Sequence, residues 1–296
     1  MKKIAVWLAA ATSLCSLSAY ATSPTMTASQ HNSYITQLQQ LEQEYHGHLG
    51  IAAINTATNR KILFNDNRRF PFCSTGKVMV VAAILKKSES NPQLLQQKIH
   101  YTAQEVKSSG YAPITAKHVT NGMTVAELAR AALDYSDNGA MNQLLKLAGG
   151  AQNVTEFART LNDNKFNLIR SEPQLNSAIP GDIRDTTTPL AMAVSLQQLA
   201  LESALNLPQQ QHLQQWLKAN TTGDKRIRAG VPQDWIVGDK TGTGSYGTTN
   251  DVAVIWPPHA KPIVVVIYFT QDKKDASPQD EVLAKATKII INEIAR

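Results

Sequence analysis

The chain has 296 residues, of which 43% are hydrophobic, and a formal net charge of +6. This length is enough for two domains or one large two-lobed unit with a substantial core. The basic residues are scattered and have no aromatic residues between them, which is typical of a solvated surface and argues against a nucleic-acid partner.

The N-terminus has the pattern of a secretory signal peptide. Lys2 and Lys3 precede an apolar stretch from Ile4 to Leu17, and Ala19-Tyr20-Ala21 matches a signal peptidase site. The apolar stretch is too short to cross a membrane. We therefore expect cleavage near Ala21 and a soluble protein in a bacterial periplasm or the medium.

The cysteines indicate neither a lipid anchor nor a disulfide. Thr12-Ser13-Leu14, just before Cys15, lacks the small residue usually found ahead of a lipidated cysteine, so we expect no membrane anchor. After cleavage Cys73 is the only cysteine, which excludes an internal disulfide. The stability of the mature protein must then come from its core.

The predicted elements place strands towards both ends of the chain and helices in the middle. In chain order they are a helix over 29–47, strands over 49–55 and 61–65, helices over 75–87, 124–135, 185–203 and 207–218, strands over 234–241, 248–256 and 262–270, and a helix over 280–296. Thr124 and Glu127 form a capping box.

This order predicts an α+β fold. Sequential strands with short connections favour an antiparallel sheet of about five strands, with the terminal helices packed on it. After the signal peptide (1–21), we expect an α/β lobe from 22–73 plus 219–296. An inserted all-helical lobe would span 74–218, and a cleft between the lobes is the natural site.

The first candidate site is FCSTGK, residues 72–77. In a helix, Ser74 and Lys77 would share one face. A serine in the first helical turn lies where backbone N–H groups favour developing negative charge, and a neutral lysine nearby could take its proton. Taken alone, the pair is better explained by a serine that caps a helix.

Two further motifs are equally ambiguous alone. Ser136-Asp137-Asn138 makes a good turn, but Ser136 could also relay a proton and Asn138 could bind a substrate amide. Lys240-Thr241-Gly242-Thr243 could be a hairpin turn. It also suits a substrate carboxylate, because its glycine lets a ligand approach the backbone.

The combination is more specific, because S-x-x-K, S-D-N and K-T-G each occur once and in this order. The mature chain resembles the class A serine β-lactamases along essentially its whole length, particularly the extended-spectrum, cefuroximase-like members. The resemblance implies the serine β-lactamase/D-Ala-D-Ala peptidase-like fold. It also implies hydrolysis of penicillins and cephalosporins through a serine acyl-enzyme, β-lactam resistance, and no cofactor or metal.

The stretch from Arg170 to Asn176 resembles the class A loop that carries the hydrolytic base. By this resemblance Glu172 would hold a water molecule and Asn176 would help to orient it. Arg170 and Asp185 match the ion pair that closes the neck of the loop.

The resemblance also implies the remaining roles in the site. Ser74 would be the nucleophile, Lys77 or Glu172 its base, and Ser136 the proton donor to the ring nitrogen. The backbone N–H groups of Ser74 and Thr243 would form the oxyanion hole. The substrate carboxylate would be bound by Ser136, Lys240, Thr241, Thr243 and Arg226. Further substrate contacts are expected at Asn138 and Gly242, and Tyr111 would line the cleft mouth.

Two features depart from many members of the family. The carboxylate-binding arginine near the C-terminal helix is missing, since that stretch has only Lys273 and Lys274, and Arg226 matches its alternative position. Some relatives have a disulfide from the position of Cys73, but its partner position here is Gly244.

Other functions share parts of this sequence pattern. A D-alanyl-D-alanine peptidase shares the fold and the acylation step, but Glu172 and Asn176 argue against it. A sensor that stays acylated would need a signalling segment. Residues 242–247 fit the dinucleotide pattern G-x-G-x-x-G, but the following pattern predicts a strand where such a site needs a helix. We expect a monomer.

Overall fold

The computed structural model describes Met1 and residues 28–294. The helices there are α1 (Ala28–Glu44), α2 (Lys77–Ser90), α3 (Ala103–Ser108), α4 (Val125–Asp134), α5 (Asn138–Ala148), α6 (Ala151–Thr160), α7 (Pro189–Leu201), α8 (Leu207–Lys218), α9 (Ile227–Gly230) and α10 (Asp280–Ile294). The strands are β1 (Gly47–Asn55), β2 (Lys61–Phe64), β3 (Phe70–Pro71), β4 (Lys98–Ile99), β5 (Met123–Thr124), β6 (Thr186–Thr187), β7 (Ile236–Thr243), β8 (Thr249–Trp256) and β9 (Ile263–Gln271).

The predicted signal peptide and its cleavage site near Ala21 fall on residues that lie outside this description, apart from Met1. Within the described part of the chain, no helix has both the length and the apolar character needed to cross a membrane.

A five-stranded antiparallel sheet organises the fold, and its strand order is β2-β1-β9-β8-β7. On the central strand β9, Ile267 lies opposite Ile51 of β1 on one side and Asp251 of β8 on the other. Asp251 in turn lies opposite Thr241 of the edge strand β7. The predicted α+β class and antiparallel sheet are confirmed.

Strand β9 is apolar from Ile263 to Phe269 because this part is buried on both faces. Val264, Val266 and Tyr268 pack into a core shared with helix α2 and helices α4 to α8. The alternate residues Val265 and Ile267 pack into a second core with α1 and α10. Since successive strand side chains point to opposite faces, two buried faces require an uninterrupted apolar run.

Helix α2 is the central helix of the first core. Its residues from Lys77 to Leu85 are all buried, and it contacts α4, α5, α6 and α8. A helix that is apolar on all sides is expected only inside a protein. The 3₁₀ turn before it, Cys73–Gly76, packs against β7 and so joins the helices to the edge of the sheet.

Several boundaries differ from the prediction for identifiable reasons. Strand β7 ends at Thr243, not 241, so the K-T-G motif lies inside a strand and the hairpin-turn interpretation is wrong. Helix α7 begins at Pro189, not 185, because Thr188 caps it. Helix α1 ends at Glu44, three residues early, and His46 has a left-handed backbone just before β1.

The capping box of α4 gives a first testable prediction. The Thr124 hydroxyl accepts from the N–H of Glu127 at 3.2 Å, and the Glu127 carboxylate accepts from the N–H of Thr124 at 2.7 Å. Thr124→Ala should therefore lower the free energy of unfolding by about 1 kcal/mol. Denaturant unfolding measures this, with the exposed Thr120→Ala as the control. Equal losses in the two variants would contradict the capping role.

Candidate active site

Ser74 lies in the 3₁₀ turn that leads into α2. The preceding residue, Cys73, has a left-handed backbone with φ 50°. Gly76 occupies the N-cap position of α2 and supplies no side chain, so the interpretation of Ser74 as a mere helix cap is wrong. Its hydroxyl instead forms hydrogen bonds with Lys77 and Glu172.

Lys77 is the first residue of α2 and is fully buried. Its Nζ donates to Ser74 Oγ at 2.9 Å, to the Ser136 carbonyl at 2.8 Å and to Asn138 Oδ1 at 2.6 Å. It also pairs with Glu172 Oε1 at 2.9 Å, while Ser74 Oγ donates to the same oxygen at 3.3 Å. The S-x-x-K motif, the S-D-N motif and the loop glutamate therefore meet at one ammonium group.

The S-D-N turn is held in place by its central aspartate. Asp137 Oδ1 accepts from the N–H of Ala140 at the start of α5, and Oδ2 accepts from the N–H of Thr115, at 2.8 and 2.9 Å. Asp137 therefore caps α5, and the S-D-N segment also has a second effect. It places Ser136 Oγ 3.0 Å from Lys240 Nζ and 3.3 Å from Lys77 Nζ.

Lys240 is buried within β7. Burial and the nearby charge of Lys77 hold its pKa well below the usual lysine range. The side chains of Thr241 and Thr243, next along the strand, open onto the same cleft as Ser74. Thr222, which the sequence analysis did not select, holds the Thr241 hydroxyl in a hydrogen bond.

Arg226 is 7% exposed and is fixed by the sheet and by α10. One terminal nitrogen donates to the carbonyls of Gly242 and Asn250, and Nε pairs with Asp280 at 2.7 Å. The other terminal nitrogen donates to Thr243 Oγ1 at 2.8 Å. The guanidinium thus lies beside the K-T-G strand.

Glu172 is held from two directions. Asn176 Nδ2 donates to its carboxylate. Asn142 forms a two-way clamp on its backbone, accepting from the Glu172 N–H at 3.0 Å and donating to its carbonyl at 2.9 Å. The sequence analysis missed Asn142, although it lies four residues after Asn138 on α5, where i,i+4 spacing places both on one face.

Gly244, just after β7, allows the 170–185 loop to lie close to the end of this strand. A side-chain Cβ there would lie 2.7 Å from both the Asn176 carbonyl and Cys73 Sγ, and neither distance is tolerable. The adjacent Ser245 N–H donates to the Asn176 carbonyl at 3.0 Å. Cys73 itself is a buried free thiol, and burial raises its pKa.

These groups line a cleft of about 330 Å³, within the range of small-molecule sites. Its lining residues are Ser74, Tyr111, Ser136, Asn138, Asn176, Thr222, Arg226, Thr241 and Thr243. The nearby cations Lys77, Lys240 and Arg226 favour an anionic ligand. In the described residues, no group of three or more His, Cys, Asp or Glu side chains is placed to hold a metal ion.

Known proteins match the chain over most of its length. A profile of the β-lactamase enzyme family matches residues 33–294. The chain belongs to the β-lactamase enzyme family. It is 54% identical over 264 residues to β-lactamase Toho-1 of Escherichia coli, covering 88% of this chain and 89% of that protein.

A further relative and a solved structure support the same family. Identity to β-lactamase OXY-1 of Klebsiella oxytoca is 54% over 257 residues, which cover 86% of this chain and 87% of that protein. The crystal structure of a β-lactamase from Desulfarculus baarsii superimposes with a TM-score of 0.88 at 46% identity, covering 90% of this chain and 98% of the other. The predicted serine β-lactamase fold is confirmed.

The chain is therefore a class A β-lactamase, a hydrolase of β-lactams that confers resistance to them. The peptidase and sensor hypotheses are not favoured, since these relatives are named β-lactamases. At the G-x-G-x-x-G pattern, the element that follows is strand β8, as predicted, and not the helix of a dinucleotide site.

The neck of the 170–185 loop gives a second prediction. The Arg170 guanidinium pairs with Asp185, which is buried, so Arg170→Ala would leave that carboxylate with only two backbone N–H donors. In this β-lactamase we expect a loss of about 3 kcal/mol in the free energy of unfolding.

The matched control is Arg184→Ala. Arg184 pairs with Asp182 at the surface and is half exposed, so its loss should cost clearly less. Denaturant unfolding of both variants checks the difference. A similar loss of unfolding free energy in the two variants would show that the Arg170–Asp185 pair stabilises the protein no more than a surface ion pair does.

Proposed function

We propose that Ser74 is the nucleophile of this β-lactamase and that the substrates are penicillins and cephalosporins. The observation that carries this proposal is the position of Ser74 Oγ, 2.9 Å from Lys77 Nζ and 3.3 Å from Glu172 Oε1, at the wall of a cationic cleft. A hydroxyl between a cation and a carboxylate is placed to lose its proton as it attacks.

In acylation, Ser74 Oγ bonds to the β-lactam carbonyl carbon. The backbone N–H groups of Ser74 and Thr243 stabilise the oxyanion. The hydroxyl proton passes to Glu172 or to Lys77. The hydrogen bond from Ser74 to Glu172 supports Glu172 as the acceptor, since Lys77 Nζ already donates to three oxygens.

Breakage of the ring C–N bond requires a proton at the leaving nitrogen. We assign this transfer to Ser136, whose hydroxyl lies within 3.3 Å of both Lys77 Nζ and Lys240 Nζ. Lys77 can return a proton to Ser136 after the transfer, and the proton that Glu172 took from Ser74 can then pass to Lys77, 2.9 Å away, which restores the Glu172 carboxylate for the next step. The product of this half-reaction is an ester on Ser74.

Deacylation requires an activated water molecule. We assign this to Glu172, whose carboxylate is oriented by Asn176 and whose backbone is clamped by Asn142. Glu172 would take a proton as the water attacks the ester carbonyl. Collapse of the intermediate returns a proton to Ser74 and releases the opened acid.

Substrate binding is assigned to the groups around this centre. Lys240, Arg226 and the two threonine hydroxyls of β7 would hold the substrate carboxylate, with Ser136, and Gly242 lets the substrate approach the strand. The Asn138 amide donates to the Ser109 carbonyl at 3.0 Å and has a second hydrogen for a substrate amide. Tyr111, 61% exposed, would line the cleft mouth.

We also propose that the enzyme acts outside the cytoplasm as a monomer. The support for export is the signal-like sequence that ends near Ala21. The division into an α/β lobe (22–73 plus 219–296) and a helical lobe (74–218) remains a prediction.

A Glu172→Gln variant tests the catalytic cycle. Glutamine keeps the shape of the side chain but cannot accept the proton, so hydrolysis should fall by at least about 100-fold. Mass spectrometry with a chromogenic cephalosporin should then show a long-lived adduct on Ser74. Ser74→Ala is the control and should form no adduct. Full turnover by Glu172→Gln, or an adduct on another residue, would refute the assignment.

The pKa of Lys240 gives a test of carboxylate binding. Because burial and Lys77 lower that pKa, Lys240 loses its charge at a lower pH than an exposed lysine would. KM should therefore rise with pH on the alkaline side. Lys240→Arg, which keeps its charge, should reduce that rise.

A cephalosporin esterified at its carboxylate supplies the second comparison, because its KM should lack the alkaline rise. If Lys240→Arg and wild type follow the same KM curve with the free acid, Lys240 does not bind the carboxylate in its charged form.

A further inference from the structure

The two threonine hydroxyls that β7 presents to the cleft have different hydrogen-bond partners. Thr243 Oγ1 accepts from a terminal nitrogen of Arg226 at 2.8 Å. A guanidinium only donates, so the Thr243 hydroxyl can direct its own proton at a ligand. Thr241 Oγ1 instead lies 2.5 Å from Thr222 Oγ1, and this distance alone does not say which hydroxyl is the donor.

The side chain of Asn220 decides the direction. Asn220 is buried, and its amide is oriented from both sides. Nδ2 donates to the Asp239 carboxylate at 2.6 Å, and Oδ1 accepts from the backbone N–H of Thr222 at 3.0 Å. An amide oxygen carries no proton, so Asn220 can only accept from the Thr222 hydroxyl.

The protons of the two hydroxyls can therefore be placed. Thr222 Oγ1 lies 2.8 Å from Asn220 Oδ1 and 2.5 Å from Thr241 Oγ1. Oxygens at these distances need a proton between them. Thr222 gives its single proton to Asn220, so the proton between the two threonines is that of Thr241. Thr241 then presents lone pairs to the cleft and no proton.

We propose that Thr222 is a specificity-determining residue, which holds the Thr241 hydroxyl as an acceptor and so weakens binding of the substrate carboxylate. This rests on the carboxylate site proposed above. To donate to a carboxylate, Thr241 must turn its proton away from Thr222. Thr222 must then turn its own proton from Asn220 to Thr241, and Asn220 Oδ1 keeps only the backbone N–H of Thr222.

This reversal affects some ligand groups and not others. Both oxygens of a carboxylate only accept, so its binding costs the Thr222–Asn220 hydrogen bond, which is worth roughly fivefold in affinity. A primary carboxamide in the same place offers an oxygen to Thr243 and an N–H to Thr241, and needs no reversal. The cations of the cleft favour the carboxylate in any case, so the effect of Thr222 appears in the ratio of the two affinities.

The test measures binding without turnover, in the Ser74→Ala background. Its ligands are a cephalosporin and the analogue whose carboxylate is replaced by a primary carboxamide. Thr222→Ala removes the accepting hydroxyl and adds no bulk, so the carboxylate should bind roughly fivefold more tightly while the carboxamide keeps its dissociation constant. Thr222→Ser is the matched control, because it keeps the hydroxyl and should keep both constants.

The Asn220 amide supplies a second readout in the same background. Asn220 is not among the residues that line the cleft, so a ligand there does not touch it. The carboxylate should shift the NMR signals of the Asn220 side-chain amide, because its binding removes the Thr222 hydroxyl from Oδ1. The carboxamide should leave these signals unchanged, and Thr222→Ala should abolish the shift.

A Thr241→Ala variant separates the role of Thr222 from the carboxylate site itself. It should weaken binding of the carboxylate, and if it does not, the assigned site is wrong and the role of Thr222 fails with it. If Thr241→Ala weakens binding but Thr222→Ala weakens it too, or leaves it unchanged, the carboxylate site stands and the role of Thr222 is overturned. Equal shifts of the Asn220 amide with both ligands would overturn that role as well.

Discussion

The site depends on the burial of one ammonium group. Lys77 Nζ is fully buried and is held by oxygens from the 3₁₀ turn, the S-D-N turn and the 170–185 loop. An isolated charge in such a place would cost several kcal/mol or more, and pairing with hydrogen bonding offsets that cost. Each segment can take its observed position only if the others supply their oxygens.

A second group of buried ionisable side chains lies along β7, where Lys240 follows Asp239. Asp239 accepts from Arg228 at 2.6 Å and from Asn220, and its burial raises its pKa. On the neighbouring strand, Asp251 is also buried, and burial together with Asp239 raises its pKa well above the usual range. The strand that presents the K-T-G hydroxyls to the cleft thus rests on acids that carry their protons at higher pH than usual.

Much of this arrangement could be predicted from local sequence. The capping box of α4, the apolar run of β9 and the motif order depend on spacing within one segment, and these predictions agree with the structure. The extension of β7 to Thr243 could not be predicted this way, because it depends on pairing with Thr249 of β8. Likewise β3 and β6 are two residues each and are defined by antiparallel pairing between segments far apart in the chain.

The missed site residues have the same explanation. Thr222 lies in an ordinary Thr-Thr-Gly loop, and its role appears only when the fold places it against Thr241. Asn142 carries no motif, and its clamp depends on a backbone 30 residues away. Motifs identify groups that take part in chemistry, whereas the groups that position them are recognisable only from tertiary contacts.

The contrast between Glu172 and Asp134 shows what those contacts decide. Both are buried acids near the S-D-N segment, but Glu172 has Lys77, Ser74 and Asn176 around its carboxylate. Asp134 pairs with Arg130, whose side chain is 61% exposed and whose Nε lies 3.5 Å from Oδ2. The first acid is satisfied within the protein and is held at a fixed position. The second has an oxygen without a hydrogen-bond partner among the described residues, and that difference comes from the tertiary contacts and not from the residue type.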